Sequence, residues 1–192
     1  MVEVIPAVLP TSSEDLEKKL SLIPRRFHFI QVDITDPHIF VDPLIDFEVH
    51  LMVDKSDEVL EEWLKSGAKR IITHKPSQKL LSLKPEVEIG LGVELQTPLE
   101  EILPLVNQVD FVQLMSIEEI GRQGNEFSPK IFDRIKELKK AFPEVVISID
   151  GGVSLDNALE LIHLGAERLV VGSAIFGQND PEEAYEKFLQ LT

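Results

Sequence analysis

Residues 145–176 read VVISIDGGVSLDNALELIHLGAERLVVGSAIF, and this stretch decides the fold. Two β-branched runs, 145–149 and 168–171, flank one helix-periodic segment over 155–164. Ser154 stands where a helix N-cap belongs, and Gly165 where a left-handed residue closes a helix. A strand, a helix and a second strand within so short a span make a crossover, which lays the two strands parallel. Each strand runs out into small residues, Asp150-Gly151-Gly152 after the first and Gly172-Ser173-Ala174 after the second.

The same alternation extends through the chain. Further strand candidates cover 2–9, 27–34, 47–53, 69–73, 87–95 and 110–115, which brings the number to eight. Further helical patterns cover 13–22, 56–66, 99–106, 129–141 and 181–191. Ser12 and Ser13 can cap the first helix, and Asp180 the last, with Pro181 in its first turn. Gly67 closes the helix before it as Gly165 does.

Eight strand–helix repeats predict an α/β fold, a compact single-domain (β/α)8 TIM barrel over 1–192. This is shorter than the usual size of about 250 residues. The saving falls in two crossovers. Segment 37–46 holds two prolines and no room for a full helix, and 75–86 allows about two turns around 78–83. A doubly wound open sheet would instead carry a glycine-rich first turn, and here that turn is Pro10-Thr11-Ser12.

Composition narrows the function. The 192 residues include 34 acidic and 19 basic side chains, a formal charge of −15, which argues against nucleic acid or an anionic membrane as partner. With no cysteine, disulfides, thiolate metal sites and cysteine nucleophiles are excluded. The amino terminus lacks the pattern of a signal peptide, and no apolar run approaches the ~18 residues of a membrane span. The chain is expected to work in the cytoplasm. Homo-oligomer formation is compatible with this reading.

In such barrels, chemistry sits on side chains at the C-terminal ends of the strands. Alternation along each strand places Phe29, Gln31 and Asp33 on one face, Glu48, His50 and Met52 on another, then Ile72 with His74, and Val146, Ser148 and Asp150. Asp33, His50, His74 and Asp150 therefore converge on the barrel mouth. Singly, each has an ordinary role: Asp150 as a turn former, His50 as hydrogen-bonded core, His74 as a loop residue. Together they form a proton-active constellation. Glu48 and Gln113 read as buried polar structure in need of partners. His28 lies on the opposite face from Asp33, and His38 in a proline-bounded loop. The glycine clusters Gly151-Gly152 and Gly172-Ser173, after strands seven and eight, suit a phosphate held by backbone N–H groups, with no Lys or Arg required.

These residues resemble the ribulose-phosphate 3-epimerase family over nearly the whole chain. The likeness is carried by Val32-Asp33-Ile34-Thr35-Asp36, Val49-His50-Leu51-Met52-Val53, Thr97-Pro98-Leu99-Glu100, Met115-Ser116-Ile117-Glu118, Ile149-Asp150-Gly151-Gly152-Val153 and Val171-Gly172-Ser173-Ala174-Ile175-Phe176. The resemblance implies an isomerase of carbohydrate metabolism that interconverts D-ribulose 5-phosphate and D-xylulose 5-phosphate. Asp33 would remove the proton at carbon 3, and Asp150 would return one to the opposite face of an enediolate. A divalent metal, zinc or iron, would stabilise that intermediate on Asp33, His50 and Asp150. Met52 and Met115 would pack near it, and His50, Gly151, Gly152, Gly172 and Ser173 would contact the substrate or its phosphate.

The chain departs from the family's pattern at the site. Gln31 stands where the family's other metal-binding histidine would be, and an amide oxygen is a weaker ligand than imidazole. Ala7 replaces a serine, Asp36-Pro37 an Asp-Gly, and Thr35 a methionine. Ile120-Gly121-Arg122-Gln123-Gly124 replaces the glycine-rich loop that covers the substrate. Two readings follow: an epimerase with an altered metal site, or a phosphosugar-binding barrel without metal or turnover, in which Gln31 pairs with Gln113 or Glu48. The decarboxylases and aldolases of related barrels need a lysine that Asp33-Ile34-Thr35-Asp36 lacks.

Overall fold

Strand β1 (Glu3–Val8) pairs in parallel with both β2 (Phe29–Thr35) and β8 (Arg168–Val171), and this closes the sheet. Between them run β3 (Asp46–Met52), β4 (Arg70–Thr73), β5 (Glu88–Val93), β6 (Phe111–Met115) and β7 (Val146–Asp150), each paired with its neighbours in chain order. The computed structural model describes all residues of the chain except Met1, Leu22, Arg25, Val41 and Gln123. The expected end of the first helix at Leu22, and Gln123 of the expected loop, lie outside the described residues.

The helices are α1 (Ser13–Ser21), α2 (Ser56–Lys65), α3 (Gln78–Leu81), α4 (Leu99–Val106), α5 (Ile131–Ala141), α6 (Leu155–His163), α7 (Ser173–Phe176) and α8 (Pro181–Leu189). The starts of α1, α6 and α8 follow the expected capping chemistry. Ser12 Oγ accepts from Asp15 N at 3.0 Å, and Asp180 Oδ1 from Glu183 N at 3.0 Å. Asn157 Oδ1 accepts from Ser154 N at 2.9 Å, so α6 is closed by side chain and backbone together. No helix is found among the described residues between β2 and β3, and α3 is a single turn, in line with the two short crossovers. The short helix α7 was not among the expected helical segments, because four residues are too few to show a period.

Most of the core lies between sheet and helices, where Leu16, Leu60, Trp63, Ile135, Leu161 and Phe188 are buried. Burying each such side chain contributes roughly 1.5–3 kcal/mol. Trp63 stacks edge-on to Phe40 and Phe47, and its indole N–H donates to His38 Nε2 at 3.3 Å. His38 thus anchors the helix-free crossover, and His28 is exposed.

Inside the barrel Ile5, Ala7 and Val170 form an apolar cluster with Phe29 against them, and Ile72 and Phe111 are buried there too. Below this layer, at the N-terminal end, Arg70 and Arg168 bind Glu3, Glu48 and Glu88. Their guanidinium groups also lie 4.6 Å and 4.4 Å from the ring centres of Phe29 and Phe111. Above it, at the C-terminal end, sit the polar residues that the sequence singles out.

Candidate active site

Strand pairing places the first half of the site. Asp33 lies in register with His50 across β2 and β3, and Met115 with Asp150 across β6 and β7. The β2 and β7 strands are not neighbours, so Asp33 and Asp150 meet across the lumen. Gln31 joins them. Its Nε2 donates to Asp33 Oδ1 at 2.7 Å and to Asp150 Oδ2 at 2.8 Å. Gln113 adds a second amide donor to Asp150 Oδ2 at 2.9 Å, while its Oε1 accepts from Ser148 Oγ at 3.2 Å.

His50 Nδ1 lies 3.4 Å from Asp33 Oδ1 and 3.3 Å from Asp150 Oδ2. On its other side, His50 Nε2 is 3.0 Å from His74 Nε2, the two rings stacked at 26°. One proton serves that contact, since one nitrogen must donate and the other accept. Burial presses the His50 imidazole down, but the hydrogen bonds it donates to Asp150 and Asp33, and their charges, carry it up to about 9. Burial, with the charges of His50 and Lys75, pushes His74 down to about 3. His50 therefore carries the proton and donates it to a neutral His74. Burial, and then the charge of Asp150, raise the Asp33 carboxyl above its ordinary range against the pull of His50 and Gln31.

Above the aspartates is a cavity lined by Asp33, Met52, Met115, Asp150, Gly151, Gly152, Gly172 and Ser173, whereas His50, also expected to contact the substrate, is fully buried and does not line it. Gly151 and Gly152 have φ of +109° and +63°, so the backbone turns away from Asp150 as only glycine does readily. A side chain at Gly152 would also strike the Phe127 backbone at 2.9 Å. Gly172 differs. Its φ is −94°, and a Cβ there would meet nothing closer than Ala7 O at 3.5 Å, an ordinary contact. Ser116 fixes the height of Asp150, with its N–H 2.8 Å and its Oγ 3.1 Å from Asp150 O.

One expectation is corrected: Gln31 pairs with neither Gln113 nor Glu48 but with the two aspartates. Glu48 and Gln113 are buried and partnered, as expected. Glu48 lies at the opposite end of the barrel, 3.1 Å from Arg70. Gln113 is part of the site. Sequence reasoning also missed Arg122 and Asn125, which line the cavity from the replaced loop, and Gly92, whose missing Cβ leaves room for His74 at 3.0 Å. A glycine inside a strand, as at Gly92, was the available signal.

Asp33, His50 and Asp150 are, among the described residues, the one group whose types and spacing could hold a metal, their ligand atoms lying within 4.8 Å of one another. Gln31 does not complete the set as a ligand. It turns its N–H groups, not its oxygen, toward the aspartates.

A closed parallel barrel with acid–base side chains and glycine-rich turns at one mouth is the form of a phosphosugar isomerase. The Ribulose-phosphate 3 epimerase family matches residues 3–176, and the chain belongs to that family. It is 29% identical to ribulose-phosphate 3-epimerase of Bacillus subtilis, covering 96% of both chains. It is 26% identical to that of Schizosaccharomyces pombe, over 94% of this chain and 90% of the relative. The protein is accordingly an epimerase of pentose phosphate metabolism, with a sugar phosphate as its substrate class. Among solved structures, 3-hexulose-6-phosphate synthase from Salmonella typhimurium superposes with a TM-score of 0.72 at 14% identity, over 99% of this chain and 98% of the other, a likeness of fold alone. Among the described residues, no helix is long and apolar enough to cross a membrane.

Proposed function

We propose that the protein interconverts D-ribulose 5-phosphate and D-xylulose 5-phosphate by proton transfer between two aspartates. One observation carries this reading: carboxylates from β2 and β7 meet across the lumen at the base of a cavity walled by Gly151, Gly152, Gly172 and Ser173. The phosphate binds at those backbone N–H groups, which the first turn of a helix leaves unspent. The sugar carbons then lie over the aspartates, between Met52 and Met115, which exclude water without exchanging protons.

Asp33 takes the proton from carbon 3, and electrons move onto the adjacent carbonyl oxygen to give an enediolate. Asp150 delivers a proton to the opposite face of the same carbon. Reversal exchanges the roles. A carboxyl held above its ordinary range, as Asp33 is, suits a group that must accept and release a proton in each cycle. His50, protonated and buried between the aspartates, supplies positive charge where negative charge develops. Zinc or iron has no part in this reading, because the Gln31 amide offers hydrogens where a ligand is needed.

Solvent deuterium appearing at carbon 3 of the sugar phosphate tests the proposal. Asp33→Asn and Asp150→Asn each remove that exchange, with a loss of about 10²–10⁴-fold or more. The bridging amide also favours a second reading, a phosphosugar-binding barrel without turnover, since it occupies one oxygen of each aspartate. Tight sugar-phosphate binding with no exchange in the parent protein would select it.

A further inference from the structure

The group Asp33, His50 and Asp150 has the residue types of a cation site, yet the point where its oxygens converge is held by hydrogen-bond donors. Gln31 Nε2 lies 2.7 Å and 2.8 Å from the two carboxylate oxygens. Exchanging the amide's oxygen and nitrogen would aim a lone pair at both carboxylates and forfeit both bonds, so the aspartates themselves fix its orientation. Gln31 Oε1 is left buried and, among the described residues, without a partner. That orphaned oxygen shows the two N–H bonds outweighing the cost of leaving it bare.

Gln113 reinforces the arrangement. Ser148 Oγ donates to its Oε1, which turns its Nε2 onto the same Asp150 oxygen and within 3.1 Å of His50 Nδ1. Asp150 Oδ2 therefore receives two amide donors. Both amides are fully buried, so neither is a surface group that happens to swing inward. A divalent cation bridging Asp33 Oδ1 and Asp150 Oδ2 would face amide hydrogens instead of a lone pair. To bind it, Gln31 would have to reverse and Gln113 withdraw.

We infer that in this protein the Gln31 amide, backed by Gln113, takes the place of a divalent cation: it holds Asp33 and Asp150 together and leaves the site without affinity for metal. Gln31 is a positioning residue in this scheme. The inference does not depend on which sugar phosphate is turned over.

The test counts metal. Purified protein is incubated separately with Zn²⁺, Mn²⁺ and Fe²⁺, desalted, and assayed for bound metal by plasma mass spectrometry, with thermal midpoints recorded in each metal and in chelator. The parent is expected to retain no stoichiometric metal and to melt at the same temperature throughout. Gln31→His is expected to take up one metal ion per chain and to melt higher with it than in chelator. Gln31→Glu keeps the side chain's size but adds a third carboxylate. It is expected to melt below the parent in chelator and to recover with Zn²⁺. A parent that retains one metal ion per chain, lost in Asp150→Asn, overturns the inference. So does a metal-free parent whose folded Gln31→His and Gln31→Glu variants both stay metal-free, since residue 31 would then not be what excludes the cation. Neither readout uses turnover, so failure here and failure of the epimerase reading are seen separately.

Discussion

The two ends of the barrel lumen solve the same problem differently. Each gathers a cluster of carboxylates, Glu3, Glu48 and Glu88 at the floor, of which Glu48 is fully buried, and Asp33 and Asp150 at the mouth. At the floor two arginines bind three glutamates, and each also stacks on a phenylalanine. That end has its fixed counter-ions. At the mouth no lysine or arginine touches the aspartates among the described residues. Two amides and one histidine hold them instead, and a cavity opens above. Permanent cations make a plug, whereas exchangeable donors leave carboxylates free to take up a proton. The difference separates the stability of this barrel from its chemistry.

Removing a cation from the floor should therefore have the largest effect on folding. Arg70→Met leaves Glu48 buried without its partner and should cost about 3–5 kcal/mol in denaturant titration. The Asp33→Asn variant at the mouth should stay within about 1 kcal/mol of the parent, because it removes one of two adjacent like charges. Equal losses in the two variants would erase the comparison.

The floor should also be sensitive to pH. Burial pushes the Glu48 carboxyl up from 4.5 to about 7, against the opposing charge of Arg70. A carboxyl whose folded value is raised contributes stability that is complete below pH 4.5 and is lost as pH rises through about 7. The loss should be on the order of 3 kcal/mol in the parent and absent in Glu48→Gln. Unfolding measured between those limits checks it, and an unchanged slope in the variant would mean that another group titrates.

At the mouth, two glycines should behave differently. Gly172→Val has room at its Cβ and should keep the fold while weakening sugar-phosphate binding about tenfold, or ~1.4 kcal/mol. Gly152→Val would force a positive φ and a backbone clash, and should fail first in folding. Unchanged affinity in a folded Gly172→Val would place the phosphate elsewhere. The smallest effect should come from Arg122, an exposed side chain at the cavity rim. Arg122→Ala should raise the Michaelis constant only a few-fold, under about 1 kcal/mol, and the difference should vanish at high salt.

How far the site could be read in advance follows the range of the interactions. Asp33 and Asp150 were legible because each closes a β-branched run, and alternation within a strand tells which way its residues point. The glycine pairs were legible because they follow strands. Gln113 also pointed inward by alternation, but alternation fixes no partner, so it read only as buried polar structure in need of one. Arg70 and Arg168 sit at the first residues of β4 and β8 and carry no local sign that they would share glutamates.

The amino-acid sequence alone determined the eight-strand alternation, the capped helices, the two shortened crossovers, and the aspartates, histidines and glycine pairs at the mouth. All of these rest on neighbours a few positions apart, through side-chain period, capping and turn chemistry. Only the closed barrel decided what those residues do to one another. Gln31 and Asp150 are 119 positions apart, and the direction in which the Gln31 amide faces is set by two carboxylates that meet only once β1 has paired with β8. A side chain with a donor at one corner and an acceptor at the other takes its role from what it touches, and that contact exists only in the folded chain.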